Sequence, residues 1–120
     1  MKATDLMIGD KVMVKVLSQI PNTYVLHTWT ANDYSRDIQV KPIPLTTEIL
    51  EKNGWKDREN LMELRVNEDT YFLWSKGYGV FTGAFINQIG CYICDFKYVH
   101  TLQHLLRHYK FNELADNFKV

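Results

Sequence analysis

The chain lacks an excess of charge of either sign, because its 120 residues hold 14 lysines and arginines against 14 aspartates and glutamates. General polyanion binders usually carry a strongly basic balance, so net charge does not point to nucleic acid or an anionic membrane. Cysteine is scarce, with two residues, which argues against a disulfide scaffold. No apolar run approaches the ~20 residues of a membrane span, and no apolar leader is evident. We therefore expect a cytoplasmic protein without a membrane partner.

Recognisable catalytic motifs are also missing. The sequence has no G-x-S-x-G element and no D-x-D pair, and Gly77-Tyr78-Gly79 is not followed by the Gly-Lys-Ser/Thr of a phosphate-binding loop. Catalytic triads assemble in space and leave no fixed spacing, so this absence lowers the expectation of an enzyme without removing it. We predict a protein that is not an enzyme and that uses no cofactor.

The residues that are present are typical of one α+β domain spanning residues 1–120. Hydrophobic residues make up 46% of a chain whose length fits a single domain without linkers. Alternation and turn residues predict N-terminal strands and a later β-meander, which we expect to form an antiparallel sheet. The predicted strands are 12–17, 24–30, 36–43, 61–66, 70–75, 78–84 and 91–96.

Two helices are predicted as well. The first is short, over 45–55, with Thr46 as N-cap, Glu48 in the first turn and Asn53-Gly54 as the stop. The second runs from 98 to 110, where apolar residues recur at helical spacing. We expect this amphipathic helix to pack its apolar side on the sheet, against the meander. One more short turn is expected over 112–118.

The polar side of the second helix is the candidate binding site. Between Phe96 and Asn112 the sequence has no aspartate or glutamate, and its three histidines gain charge as the pH falls toward ~6.5. It is the only basic patch that the sequence indicates, and it suits RNA, DNA or an acidic protein surface. The residues expected on this exposed face are His100, Gln103, His104, Arg107, His108 and Lys110.

Zinc binding is an alternative hypothesis. Cys91 and Cys94 form a C-x-x-C that precedes His100 and His104, and thiolates with imidazoles suit tetrahedral zinc. Such a set would make the chain a zinc-binding protein or a metal-dependent enzyme. Both cysteines fall in one predicted strand, where residues three apart point to opposite faces. Thr101 also stands where an H-E-x-x-H motif has its glutamate, so we expect no metal.

Aromatic residues of the meander support another alternative. Trp74 and Tyr78 could stack on nucleobases, as aromatic side chains do in single-strand binders. Large aromatics in adjacent strands are more often part of a core. Together with the basic helix, the two residues define the hypothesis of a small RNA- or DNA-binding module.

Three ordered stretches carry a resemblance that covers nearly the whole chain. They are Lys2-Ala3-x-Asp5-Leu6-x-Ile8-Gly9-Asp10-x-Val12, Pro42-Ile43-Pro44-Leu45-Thr46-x-Glu48-Ile49-Leu50-Glu51-Lys52-Asn53-Gly54 and Lys97-Tyr98-Val99-His100-x-Leu102-Gln103. The chain resembles small accessory proteins of Bacteroidales genomes, prophages and mobile elements, a family without an activity to carry over. The resemblance implies a partner in the bacterial host cell, either a host protein or a ribonucleoprotein effector. Its sharpest form is an inhibitor of a host defence complex such as a CRISPR effector, which is an analogy.

Overall fold

The computed structural model of the chain describes residues 5–16, 23–36, 38–67, 70–75, 80–86, 89–91 and 97–120. In chain order its elements are β1 (Lys11–Val16), β2 (Val25–Thr28), a 3-10 helix (Ala31–Ser35), β3 (Ile38–Lys41), α1 (Thr47–Lys52), β4 (Lys56–Arg58), β5 (Leu61–Arg65), β6 (Thr70–Ser75), β7 (Val80–Ile86), β8 (Ile89–Cys91), α2 (Val99–His108) and α3 (Asn112–Asp116). The chain divides into two compact units. The first unit takes Met1–Pro44 and Tyr98–Phe118, and the second takes Leu45–Lys97 and Lys119–Val120.

The first unit is built on a three-stranded antiparallel sheet. Its strand order is β2-β1-β3, and the 3-10 helix lies in the chain between β2 and β3. Successive side chains of a strand point to opposite faces, so Val12 and Val14 lie together on the buried face of β1. The core of this sheet consists of Leu6, Val12, Val14 and Trp29, with Ile38 and Val40 packed against it.

Helix α2 belongs to this first unit, where it contacts β1 and α3. Its apolar side is buried at Leu102 and Leu106, as the helical spacing predicts. The N–H of Val99 donates to the carbonyl of Ile43 at 2.8 Å, which ties the start of α2 to the segment after β3. The contacts given for α2 lie within its own unit, so its expected packing against the meander stays a prediction.

The second unit opens with the short helix that its sequence predicts. The Thr46 hydroxyl accepts the N–H of Ile49 at 3.2 Å, which confirms the N-cap. Gly54 follows the helix with a φ of +86°, a conformation that glycine adopts without steric cost. The N–H of Trp55 then donates to the carbonyl of Leu50 at 3.1 Å, so the chain folds back over the last turn.

The rest of the second unit is a five-stranded antiparallel sheet in the order β4-β5-β6-β7-β8. Side chains of β5 and β6 alternate, and the buried members are Met62, Leu64, Phe72 and Trp74. Strand β4 was not predicted, because its sequence Lys-Asp-Arg has no apolar residue. A tight turn with Glu59 at a φ of 61° brings it alongside β5.

The predicted α+β class is confirmed, with two antiparallel sheets in place of one. Predicted strand 91–96 lies outside the described residues except for Cys91, which ends β8. The helices among the described residues are all too short to cross a membrane.

Candidate functional site

Two of the six residues expected on an exposed helix face are buried. Gln103 has no solvent exposure, and its amide joins three backbone groups of the first unit. Its Oε1 accepts the N–H of Lys11 at 2.8 Å, while its Nε2 donates to the carbonyls of Gly9 and Ala115 at 3.0 and 2.9 Å. His100 is 6% exposed, and its Nδ1 is buried without a hydrogen-bond partner. The expectation that these two side chains face solvent is wrong.

His104 and Arg107 bind a buried carboxylate at the start of the chain. The His104 Nε2 lies 2.6 Å from Asp10 Oδ2, and the Arg107 Nη1 donates to Asp10 Oδ1 at 2.6 Å. Asp10 itself has no solvent exposure and also accepts the N–H of Met7 at 2.8 Å. Burial raises the pKa of Asp10, but the hydrogen bonds from His104, Met7 and Arg107 outweigh it and hold the pKa below its usual value. We refer to Asp10, His104 and Arg107 as the Asp10 cluster.

Gly9 allows this cluster to close. Its φ of +95° favours glycine, and a Cβ added there would lie 2.8 Å from Arg107 Nη2. Gly9 and Asp10 form a tight turn, in which the Asp10 N–H donates to the Met7 carbonyl at 3.1 Å. The turn covers the polar side of α2. A helical wheel cannot show this, because the residues that cover the helix are more than 90 positions away in sequence.

Of the six predicted residues, His108 and Lys110 are the two that are exposed. His108 lies against the ring of Tyr109 with 5.2 Å between centroids, and Lys110 follows the helix with a φ of 66°. Two side chains at a helix end form a much smaller surface than the six-residue face that the sequence suggested. A binding role for the face as a whole stays a prediction.

The zinc alternative gains no support from the described residues. Within the described ranges no group of three or more His, Cys, Asp or Glu side chains is placed to hold a metal ion. Cys94 lies outside the described residues, and the backbone of Cys91 ends β8. His100 and His104 are neighbours, with 5.6 Å between ring centroids, but His104 is bonded to Asp10.

The aromatic pair proposed for base stacking is reduced to one described residue, and that residue is in the core. Trp74 is 5% exposed on the inward side of β6, so a nucleobase cannot reach its ring. Its indole Nε1 is buried and has no hydrogen-bond partner. Tyr78 lies outside the described residues. The core assignment of Trp74 matches the more common role of large aromatics in adjacent strands.

The outer face of the three-stranded sheet is the surface that sequence reasoning missed. The register places alternate residues of the three strands on one side, opposite the buried valines. None of these side chains is buried. We call this surface the lysine face, and its members are Lys11, Met13, Lys15, Tyr24, Leu26, Thr28, Gln39 and Lys41.

Three ammonium groups on the lysine face meet no carboxylate from its own strands. The segments that form it contain no aspartate or glutamate. Lys15 Nζ lies 5.1 Å and Lys41 Nζ 4.6 Å from the centroid of the Tyr24 ring, so two cations share one aromatic side chain. Cation–π contacts of this kind hold the ammonium groups in place without neutralising them. The face therefore concentrates positive charge in a chain whose net charge is zero.

The sequence does hold a signal for this surface. Lys11 and Lys15 lie four residues apart in a strand, so they share a face, and Lys41 joins them only through the pairing of β1 with β3. The claim that the helix is the only basic patch is therefore wrong. Acidic residues elsewhere in the chain cancel these lysines in the net charge, so the excess appears only when strands are read separately.

A second buried carboxylate lies behind the same sheet. Asp33 is 2% exposed, and it accepts hydrogen bonds from the Thr30 N–H at 2.7 Å and from Arg36 Nη1 at 2.9 Å. His27 Nε2 lies 2.7 Å from Asp33 Oδ2. Burial raises the pKa of Asp33, but the bonds from His27, Thr30 and Arg36 hold it well below its usual range. We refer to these four residues as the Asp33 cluster.

Both clusters are saturated with internal partners, whereas the lysine face presents its charges outward. Surface charge of one sign next to apolar side chains suits a binding role rather than a structural one.

Comparison of the chain with protein-family models, with curated proteins and with solved structures found no match.

Proposed function

We propose that this protein is a non-catalytic binding protein and that the lysine face is its binding surface for single-stranded nucleic acid. The observation that carries the proposal is the placement of Lys15 and Lys41 over one Tyr24 ring, on a face whose strands hold no acidic residue. Like charges held close together repel each other. A phosphate that bridges them relieves this repulsion and releases the counterions that they hold in solution.

Apolar side chains on the same face favour a single strand over a duplex. Leu26 is 52% exposed, and Met13 and Tyr24 are half-buried beside the lysines. A duplex hides the faces of its bases, whereas a single strand exposes them to aromatic and apolar side chains. A face that combines ammonium groups with apolar side chains therefore suits RNA or DNA with unpaired bases.

The resemblance to accessory proteins of mobile elements adds a cellular partner to this proposal. It implies a host protein or a ribonucleoprotein effector, with an inhibitor of a CRISPR effector as its sharpest form. Exposed guide RNA in such an effector presents the same phosphates and unpaired bases that the lysine face suits. The protein partner itself rests on the resemblance alone.

The proposal is tested by measuring the affinity of a fluorescent single-stranded oligonucleotide at two salt concentrations. Three phosphate contacts predict that the logarithm of the association constant falls with the logarithm of the salt concentration with a slope of about −2. The affinity should then fall about twentyfold between about 50 and 200 mM salt. The double variant Lys15→Gln, Lys41→Gln keeps one lysine on the face, so its slope should be about −0.7. Its affinity should then fall about threefold over the same range of salt concentration. A duplex of the same sequence should bind more weakly than the single strand.

The matched control is Lys52→Gln, Lys119→Gln, which removes two exposed lysine charges from the other unit. It should leave the affinity of the oligonucleotide close to wild type. Equal losses in the two double variants would mean that binding follows total charge and not the lysine face. No binding by the wild-type protein at low salt would end the proposal.

A further inference from the structure

The second unit contains a cationic groove that the proposed function does not use. It is lined by Gly54, Lys56, Arg58, Glu63 and Arg65, and its volume is about 290 Å³. This is near the lower end of the ~300–1,000 Å³ range of small-molecule sites. The register of β4 with β5 explains the arrangement, because Lys56 pairs with Glu63 and the two arginines lie on the same side of the sheet.

Glu63 positions both arginines of the groove. Its Oε2 accepts Arg58 Nε at 3.0 Å, and its Oε1 lies 3.6 Å from Arg65 Nη2. The Glu63 side chain is only 17% exposed, while those of Arg58 and Arg65 are 54% and 53% exposed. One carboxylate cannot accept all the N–H donors of two guanidinium groups, which carry five each. The pairs therefore orient the arginines, and about half of each arginine side chain is exposed to solvent.

Other contacts add to this preorganisation. The guanidinium carbon of Arg65 lies 4.8 Å from the centroid of the Tyr71 ring, which restricts its position. Asp57 lies between Lys56 and Arg58 in β4, so it belongs to the opposite side of the strand from the groove. Its Oδ1 accepts the N–H of Glu59 at 3.1 Å. A Cβ built on Gly54 meets no atom within 4 Å, so the space beside the groove is open.

The charge of the groove matches a phosphate monoester. Lys56, Arg58 and Arg65 contribute three positive charges and Glu63 one negative charge, which sums to +2. A phosphate monoester carries about −1.5 to −2 at pH 7. Planar guanidinium groups bind phosphate oxygens through paired N–H donors, whereas a lysine acts as a point charge.

We infer that this groove is a binding site for a terminal phosphate group, separate from the lysine face. Two sources present that chemistry, a free nucleotide and the phosphorylated end of a nucleic acid. The site contacts the phosphate alone in either case. This inference does not depend on the proposed function, because the residues belong to the second unit.

The experiment is an NMR titration of the full chain with inorganic phosphate, AMP and a 5′-phosphorylated oligonucleotide, at constant ionic strength. Inorganic phosphate and AMP should produce saturable amide shifts confined to residues 54–65, and the 5′-phosphorylated oligonucleotide should shift these residues in addition to those of the lysine face. Adenosine and the unphosphorylated oligonucleotide should produce no such shifts at residues 54–65. Shifts at these residues with phosphate and AMP but not with the oligonucleotide would assign the free nucleotide as the ligand, whereas tighter binding of the 5′-phosphorylated oligonucleotide than of AMP at these residues would assign the nucleic-acid end.

Arg58→Gln and Arg65→Gln should each weaken phosphate binding by about tenfold or more, the effect of losing a charge-assisted hydrogen bond. Both side chains are exposed, so the variants should unfold at the wild-type temperature. Lys52→Gln removes an exposed charge outside the groove and should bind phosphate like wild type. Lys15→Gln, Lys41→Gln should do the same, even if the lysine face fails its own test. Equal shifts with acetate, or unsaturated shifts at millimolar phosphate, would overturn the inference.

Discussion

Asp10 and Asp33 are two buried carboxylates of the first unit with nearly the same partners. Asp10 meets His104 Nε2 and Arg107 Nη1, both at 2.6 Å. Asp33 meets His27 Nε2 at 2.7 Å and Arg36 Nη1 at 2.9 Å. Each also accepts one backbone N–H close to it in sequence.

The two clusters differ in how far their partners lie along the chain. The side-chain partners of Asp33 are three to six residues away, whereas those of Asp10 are 94 and 97 residues away. Exposure differs as well, since the Arg36 side chain is 41% exposed and that of Arg107 is 12% exposed. The same chemistry therefore fixes a local turn at Asp33 and joins distant parts of the chain at Asp10.

Neutralising each aspartate gives the largest expected contrast. Asp10→Asn leaves Arg107, whose side chain is 12% exposed, with the longer contact of its Nη2 to Asp116 Oδ1 at 3.5 Å, and breaking a buried pair costs about 3–5 kcal/mol. Asp33→Asn frees Arg36 to move into water, so we expect about 1–2 kcal/mol, close to the loss of a helix N-cap. Urea unfolding at pH 7 measures both, with wild type as reference. Equal losses would mean that sequence separation and exposure do not distinguish the clusters.

Acid titration should weaken both clusters. Both carboxyl groups have a lowered pKa in the folded chain, so their contribution is complete above the unfolded value of about 3.9 and is lost as the pH falls through the folded value. Asp10→Asn and Asp33→Asn should therefore each flatten the decline in unfolding free energy below about pH 4 relative to wild type. Urea midpoints at pH 4 and below measure this decline. A decline as steep as that of wild type in either variant would contradict the prediction for that cluster.

The smallest expected effect is on stability at mildly acidic pH, and it comes from His100, which lies beside His104 of the Asp10 cluster. Burial lowers the pKa of His100, and the neighbouring charge of His104 lowers it further, while Asp10 and Asp5 act in the opposite direction. The unfolded chain then takes up a proton first as the pH falls below about 6.5, so stability decreases there. His100→Leu should reduce the decrease between pH 7 and 5.5, and the exposed His108→Leu should not. Thermal midpoints at both pH values measure it, and identical profiles in all three proteins would refute it.

The parts of this fold that could be predicted from sequence are those with local causes. The N-cap at Thr46 and the stop at Gly54 depend on side chains within one helix, and the Gly9-Asp10 turn depends on adjacent residues. The covering of α2 could not be predicted, because the backbone groups that bind Gln103 come from both ends of the chain.

The candidate sites show the same limit. Alternation places Lys11 and Lys15 on one face, but only strand register adds Lys41 and Tyr24 to them. The groove lined by Lys56, Arg58 and Arg65 includes β4, a strand without an apolar residue, so hydrophobic patterning does not detect it. The Leu6, Ile43 and Val99 segments that carry the resemblance contribute to packing or to hydrogen bonds of the first unit. Leu6, Ile43 and Val99 therefore have a structural role in the first unit.

The large sequence separation between Asp10 and its partners also has a consequence for the order of folding. A ribosome releases the N-terminal strands well before it releases α2, so the first unit must wait for His104 and Arg107 before its carboxylate is neutralised. The second unit draws almost all its residues from one continuous stretch, Leu45–Lys97, and its strands pair with their sequence neighbours. Contacts between neighbours form faster than contacts across the chain. We therefore expect the second unit to complete its contacts before the first unit does.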